Sequence, residues 1–213
     1  MPEGGNGRLY LVSADARQER SDADLVASFM RNEPGAPGEV WDRFYPFVRR
    51  ILFRAVGPGQ DVEDMVQEVF MRLFRKLPTL RDPAALKSFV LSIATRVIQG
   101  ELRVRWVRRW LGLFDDGEMP DRAAEATDLD AREALDRFYK ILDRLSPKHR
   151  SAFVLRYVEG LDLADVAEAL DISLATIKRW LPRISKRVFS QAERDPLLSP
   201  YITRDGSWVV MHG

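Results

Sequence analysis

The sequence predicts an all-α protein of two small helical domains joined by an acidic linker, the C-terminal one containing a helix-turn-helix. Apolar residues recur at three- and four-residue spacing along almost the whole chain, and alternation with a period of two is scarce. The 33 basic and 32 acidic residues nearly balance, but they fall into blocks of opposite sign, which mark interaction surfaces or linkers. The predicted boundaries are 1–20 for a flexible N-terminal tail, 21–111 for the first domain, 112–130 for the linker, 131–192 for the second domain and 193–213 for a C-terminal tail.

Composition excludes several classes of protein. With 46% hydrophobic and 31% charged residues, the chain can bury a core and remain soluble. It has no cysteine, and its only imidazoles are His149 and His212, which argues against a disulfide framework, a zinc site and a His-based triad. No apolar run approaches the roughly 20 residues of a membrane helix, and residues 1–7 lack a hydrophobic signal core. We therefore expect a cytoplasmic protein, not inserted in a membrane, with no metal, cofactor or small-molecule substrate.

The first two helices are marked by their boundary residues. Ser21 and Asp24 form the pattern of a capping box, which predicts the start of the first helix. The Pro- and Gly-rich residues 34–38 are expected to break the chain. A second helix carries apolar residues from Trp41 onward and stops at Gly57.

The third helix has the clearest apolar stripe, with acidic residues at its start and basic residues at its end, as the helix dipole favours. Pro78 ends it, and Asp82 caps a fourth helix that has Pro83 in its first position. The stripe consists of Val62, Met65, Val66, Val69, Phe70, Leu73, Phe74 and Leu77. The fourth helix runs into a basic stretch that contains Arg96, Arg103, Arg105, Arg108 and Arg109.

The second half of the chain begins with the acidic linker. Residues 112–130 lack a steady apolar period. A helix over 135–145 then opens the second domain, and another, capped at Ser146, runs to Gly160. After Arg194 the prolines favour disorder, and a regulatory helix and a partner site stay open as alternatives.

A helix-turn-helix is predicted next. Asp162 caps a short helix, a tight turn passes through Asp171, and Ser173 caps the following helix, with Ile177 and Leu181 facing inward. Such a helix fits the major groove of DNA, where its early residues reach base edges and its flanking basic residues hold phosphates. An ordinary helical hairpin with a solvated basic face is the alternative.

Pro182 interrupts the predicted recognition helix. It lacks a backbone N–H, and its ring crowds the carbonyl of Lys178. We expect a kink there, or two helical segments meeting at the proline. The neighbouring Trp180 is expected to pack rather than to read bases.

The polar face of the third helix carries Asp64, Gln67, Glu68 and Arg72 in one patch, because residues three and four apart are neighbours on a helix. A solvated face is the simplest interpretation, and a partner surface is the alternative. Acid–base chemistry or metal binding would need a His, a Cys or a third acid, and the sequence places none to complete such a site.

Two stretches carry a family resemblance. Residues 61–70 closely resemble the polymerase-binding box of extracytoplasmic-function sigma factors, and residues 145–188 look like their C-terminal DNA-binding domain. Together the matches lie in a frame from about 22 to 188, most of the chain. Catalysis in that family belongs to the polymerase, so the resemblance implies a protein that is not an enzyme.

The resemblance implies the partners and the residues that meet them. The partners are core RNA polymerase, through its clamp and flap, promoter DNA, both duplex and melted, and the anti-sigma factor that the family often uses. The clamp would bind Asp64, Gln67, Glu68 and Arg72. The melted minus-ten strand would bind Leu80, Arg81, Asp82, Lys87, Ser88, Arg96, Arg103 and Arg105. The minus-thirty-five duplex would bind Ser173, Thr176, Lys178, Arg179, Arg183, Lys186 and Arg187. The acidic linker would thread polymerase channels built for nucleic acid.

The chain also departs from the family pattern, so no promoter sequence can be carried over. The family usually has Trp where this chain has Phe89, Asn in place of Arg96, Asp in place of Gly100 and Gly in place of Asp171. It usually has Arg in place of Trp180 and no proline at the position of Pro182. Two other functions stay open: a free-standing helix-turn-helix regulator, and a sigma-like protein that binds polymerase without opening promoters. The first would have no need of the polar patch on the third helix.

Overall fold

The computed structural model describes residues 20–57, 62–110 and 129–201. These residues form eight α-helices and no strand, which confirms the predicted all-α class. The helices are α1 (Asp22–Met30), α2 (Ala36–Val56), α3 (Val62–Lys76), α4 (Leu86–Trp110), α5 (Leu129–Leu142), α6 (Pro147–Phe153), α7 (Leu163–Leu170) and α8 (Leu174–Ala192).

The first domain consists of α1 to α4, with α2, α3 and α4 packed pairwise. The hydroxyl of Ser21 accepts a hydrogen bond from the backbone N–H of Asp24 at 3.1 Å, so the predicted cap of α1 is confirmed. On α3 the apolar stripe is buried apart from the half-buried Phe74, and Val66 and Val69 have no exposed surface. Burying this stripe fixes which face of α3 is left to solvent.

The start of α2 differs from the prediction of a break across residues 34–38. The helix begins at Ala36, so Pro37 and Gly38 lie in its first turn. Proline is tolerated there because the first N–H groups of a helix have no partner within it. Gly35 supplies the reversal before the helix, with φ of 92°.

The second domain consists of α5 to α8. The side chains of Ser146, Asp162 and Ser173 cap α6, α7 and α8, as predicted. Asp171 ends α7 in the left-handed conformation with φ of 55°, which Asp tolerates at modest cost. Between α6 and α7 the chain makes a π-helical segment, Val154–Val158, which sequence periodicity does not predict.

Two expectations about the end of the chain are corrected. Helix α8 runs through Pro182 as one element, so the helix is not divided into two segments there. Leu181 and Ile184, on either side of the proline, are both buried in the core and hold the helix in place. Residues 195–201 are packed rather than disordered: Leu198 is 2% exposed, and Asp195 forms an ion pair with Arg137 at 3.3 Å.

The two domains lie against each other. Helix α4 packs on α6 and α7, and α2 packs on the π-helical segment, so that buried apolar residues of both domains form one cluster. Helix α5 begins at Leu129, two residues before the predicted domain boundary. Most of the predicted linker, the tails over 1–19 and 202–213, and Asp61 lie outside the described residues.

Candidate polymerase and nucleic-acid surfaces

The outer face of α3 presents the predicted polymerase-binding residues together. Asp64 and Gln67 are exposed, while Glu68 and Arg72 are about 37% and 40% exposed and form an ion pair at 2.5 Å. The patch is held by the buried stripe behind it, so its side chains project from a fixed helix. Sequence reasoning missed Met71, which is 64% exposed beside this patch. An exposed methionine next to polar groups is a common feature of protein-binding surfaces.

The loop between α3 and α4 is ordered by local hydrogen bonds. The carboxylate of Asp82 accepts from the backbone N–H of Ala84 at 3.0 Å, which starts a single 3-10 turn that leads directly into α4. The hydroxyl of Thr79 donates to the carbonyl of Lys76 at 2.7 Å. Leu80 is half-buried, and Arg81 next to it is exposed. The loop therefore offers an exposed cation beside a half-buried apolar residue.

At the start of α4, Lys87 is exposed and its ammonium lies 5.8 Å from the ring centre of Phe47. Arg50 approaches the same ring at 5.7 Å. Ser88, the next residue of α4, is half-buried. Two cations over one aromatic ring make a positively charged corner beside the loop.

Further along α4, Arg96, Gly100 and Arg103 are exposed at successive turns of one face. A Cβ at Gly100 would meet nothing within 4 Å, so this face is open. Sequence reasoning also missed that Val104, Trp106 and Val107 are more than 40% exposed, which puts apolar surface among the arginines. Arg108 is exposed too, and the side chain of Arg109 lies outside the described residues.

Arg105 is turned inward, unlike the exposed Arg96 and Arg103. Its guanidinium donates to the carboxylate of Glu101 at 2.8 Å and to the carbonyl of Val56 at 3.0 Å, and the side chain is only 15% exposed. It is turned inward because the last carbonyl of α2 lacks a partner within its own helix. The guanidinium of Arg105 is thus engaged within the protein, and its contact with a DNA strand stays a prediction.

Helix α8 carries the residues predicted to bind DNA along one side, where all are exposed except the half-buried Thr176. The hydroxyl of Ser173 caps α8 by accepting from the N–H of Thr176 at 3.1 Å, and the two hydroxyls are 2.8 Å apart. Leu174, 41% exposed in the first turn, was not identified from the sequence. The cations that share the exposed side are Lys178, Arg179, Arg183, Lys186 and Arg187.

Trp180 packs as expected. Its ring meets His149 edge to face, with centroids 4.7 Å apart. Burial lowers the pKa of His149, and the nearby charge of Arg187 lowers it further. The neutral imidazole is therefore the favoured form against this tryptophan.

Within residues 20–57, 62–110 and 129–201, no three His, Asp or Glu side chains gather where they could hold a metal ion. None of the helices in those ranges combines the length and apolar character that crossing a bilayer requires.

Known families match both domains. Residues 40–108 match Sigma-70 region 2, and residues 135–188 match Sigma-70, region 4, so that the two matches together cover more than half of the chain. An all-helical protein in which these regions follow each other is a sigma factor of the sigma-70 class. Several relatives are named as members of one subgroup of this class, the extracytoplasmic-function (ECF) sigma factors.

The ferric citrate uptake sigma factor FecI of Escherichia coli is 29% identical over 138 residues, which cover 62% of this chain and 76% of that protein. The ECF RNA polymerase sigma factor SigX of Bacillus subtilis is 26% identical, over 65% of this chain and 74% of its own. The ECF RNA polymerase sigma factor SigM of Mycobacterium tuberculosis is 25% identical, over 85% of this chain and 90% of its own. The chain belongs to the extracytoplasmic-function sigma factors, DNA-binding proteins that act with RNA polymerase in transcription.

Solved structures agree on the fold. CnrH, in complex with the cytosolic domain of CnrY, has a TM-score of 0.59 at 20% identity and covers 83% of this chain and 99% of its own. The sigma factor RpoE from Bartonella quintana, in complex with the anti-sigma factor NepR, has a TM-score of 0.56 at 22% identity. The match covers 76% of this chain and 99% of that one. At these identities the likeness concerns the fold alone.

Proposed function

We propose that this chain binds core RNA polymerase, recognises the minus-thirty-five and minus-ten elements of promoters, and promotes strand opening. The observation that carries the proposal is the exposed polar face of α3, with Asp64, Gln67 and Glu68 on one side of a helix whose other side is buried. A free-standing DNA-binding regulator would have no use for this surface. The polymerase supplies the catalysis, and this chain supplies promoter choice.

The first domain would capture the melted non-template strand. Arg81 and Lys87 are exposed at the loop and the start of α4, and Arg96 and Arg103 continue along the same helix. Single-stranded DNA is held by cations that follow its phosphates and by aromatic groups that stack on its bases. The exposed ring of Trp106 supports the same use.

The second domain would bind the duplex element through α8. Lys178 and Arg179, near the start of the helix, would reach base edges, because the N-terminal residues of a recognition helix enter the major groove. Arg183, Lys186 and Arg187 would lie along the phosphates. Leu174, beside Ser173, would contact the methyl groups of thymines.

The remaining partners follow from the same surfaces. We propose the clamp of the polymerase as the partner of α3, the flap as a partner of the second domain, and an anti-sigma factor as a protein that covers these surfaces. RpoE of Bartonella quintana, which shares the fold, was solved with such a factor. An acidic linker passing through the nucleic-acid channels of the polymerase is part of the same proposal.

Permanganate footprinting on a promoter bound by core polymerase and this protein tests strand opening. Replacing Arg81 and Lys87 with alanine should reduce the reactivity of unpaired thymines more than it reduces binding to core polymerase. Replacing Arg31 and Lys140, two exposed cations elsewhere, removes the same charge and should leave opening unchanged. Normal opening in the variant without Arg81 and Lys87 would assign strand capture to other residues.

Tight binding of the protein to DNA without binding to core polymerase would favour a free-standing regulator.

A further inference from the structure

A cleft opens in the first domain where the starts of α1 and α4 meet the middle of α2. It has a volume of about 450 Å³, within the range of roughly 300–1,000 Å³ that is common for small-ligand sites. The residues that line it are Arg20, Ser21, Asp22, Arg43, Phe44 and Lys87. Of these, only Lys87 is predicted from the sequence to bind DNA.

The wall between α1 and α2 is held by hydrogen bonds. Arg43 of α2 donates to the carboxylate of Asp22 at 2.8 Å and also to the carbonyl of Arg20. The guanidinium of Arg20 donates to the hydroxyl of Ser28 at 3.0 Å and lies 3.3 Å from the carboxylate of Glu39. These contacts fix the polar groups of the cleft before a ligand arrives, which lowers the entropic cost of binding.

The side chains of the cleft suit a ligand that is anionic and also carries polar groups. The cations Arg20, Arg43 and Lys87 line it together with the carboxylate of Asp22. Lys87 and Ser21 are exposed, and the side chain of Arg20 is 47% exposed, so that an ammonium, a hydroxyl and a guanidinium are open to solvent. The cations match a phosphate, and the carboxylate of Asp22 can accept a hydrogen bond from the amino group of a base. A nucleotide therefore fits the cleft better than a simple anion or an apolar ligand does.

The cleft continues the surface proposed above for the melted strand. Helix α1 packs on the 3-10 turn Pro83–Ala85 of the loop, and Lys87 follows that turn at the start of α4. Arg103 lies further along α4, about 24 Å from Lys87 at 1.5 Å per residue. The end of α4 that carries Arg103 leads to the second domain, which binds the upstream element in the proposed complex. The opposite end, with the loop and the cleft, therefore faces downstream.

We propose that this cleft is a subsite for one nucleotide of the melted non-template strand, immediately downstream of the minus-ten element. Lys87 and Arg20 hold its phosphate, and Ser21 and Asp22 contact its base. The proposal rests on the function proposed above and adds one position at which the protein contacts promoter DNA.

Two fluorescent single strands, added to core polymerase assembled with the full-length protein, test the subsite. Both strands come from a promoter that run-off transcription identifies. One ends at the last base of the minus-ten element, and the other extends a few nucleotides further downstream. The unaltered protein should bind the longer strand more tightly, because only this strand reaches the cleft.

Ser21→Asp places a negative charge in the cleft and keeps the helix cap, because Asp caps helices as well as Ser does. This variant should bind the longer strand about fivefold more weakly, as one like charge near a phosphate causes in water. Its binding to the shorter strand should be unchanged, which also shows that the variant is folded.

Two variants control for the cap and for the added charge. Ser21→Asn caps the helix without adding charge and should bind both strands normally. Asn32→Asp adds the same charge at an exposed position past the other end of α1, where Asp tolerates the φ of 53°. It should likewise leave both affinities unchanged.

Equal affinity of the unaltered protein for the two strands, or an equal effect of Ser21→Asp on both, would overturn the subsite and leave the proposed function standing. Failure of the assembled polymerase to bind either strand would refute the proposed function, and the subsite with it. Free deoxynucleoside 5′-monophosphates, titrated into the protein alone, distinguish the other source of the same chemistry. Saturable binding that Ser21→Asp abolishes would assign the cleft to a free nucleotide and overturn its assignment to the promoter strand.

Discussion

Two cations on α8 are expected to contact different parts of the promoter DNA. Arg179 lies near the start of α8, and Lys186 lies two turns later. In the proposed complex Arg179 would reach base edges and Lys186 would lie beside the phosphates. Arg179→Ala should cost ~1–3 kcal/mol of binding and relax preference at one or two base pairs. Lys186→Ala should weaken binding to all sequences about equally and lower the salt slope by about one unit. A scan of base substitutions in the upstream element measures both effects.

The opposite result in that scan would contradict the placement of α8. If Lys186→Ala changed base preference and Arg179→Ala did not, the helix would meet the DNA in another register. Glu193→Ala, at an exposed position past the end of the helix, is a control that should affect neither affinity nor preference.

The pKa of His149 provides a pH-dependent test. Burial and Arg187 lower this pKa in the folded protein, so the unfolded chain binds a proton at a higher pH than the folded chain does. Stability contributed by the neutral imidazole is present above the unfolded pKa of about 6.5 and falls as the pH drops below it. NMR titration should find the His149 pKa below that of an unfolded reference. In His149→Gln the free energy of unfolding should decrease less as the pH is lowered. An unshifted pKa would contradict the burial of the His149 imidazole beside Arg187.

Single residues could be predicted where their partners are local. Ser21, Ser146, Asp162 and Ser173 cap helices as expected, because a cap binds an N–H only two or three residues away. The inward position of the Arg105 side chain could not be predicted, because its partner is a carbonyl of α2 that is far away in the sequence. Nor does spacing alone reveal that Met71 and Leu174 stay uncovered, since this depends on what packs beside them.

At the scale of an element, α8 gives a clear prediction. Pro182 lies inside a continuous helix, where it removes one backbone hydrogen bond and crowds the carbonyl of Lys178. Pro182→Ala should raise the free energy of unfolding by about 1–3 kcal/mol, as measured by urea titration. If a bend at Pro182 sets the docking angle, the same variant should use promoters less well. A loss of stability would show that the proline fits its site without strain.

Element boundaries followed from the sequence only where a cap or a strong stripe marks them. The start of α2 was misplaced because Pro37 and Gly38 are compatible with a first turn as well as with a loop. The π-helical segment has no distinct sequence pattern. The packing of residues 195–201 depends on Leu198 finding a place in the core and on Arg137, neither of which local composition reveals.

For the whole molecule, the fold class and the order of the two domains could be predicted, but their contact could not. Periodicity reports which face of a helix is buried and not which partner buries it. The contacts of Arg150 and Glu159 with α2 join residues roughly a hundred positions apart in the chain. Local patterns carry no information about such pairs.

Run-off transcription tests the central claim most directly. Core RNA polymerase, this protein and genomic fragments that include the region upstream of its own coding sequence should yield discrete transcripts that core polymerase alone does not make. Gln67→Ala with Glu68→Lys should keep the fold, weaken core binding by about 2 kcal/mol or more, as at an interface hot spot, and abolish these transcripts at limiting protein. Asp42→Lys, exposed on α2, should transcribe normally. Transcripts unchanged by the α3 substitutions, or none from any fragment with the unaltered protein, would contradict the account.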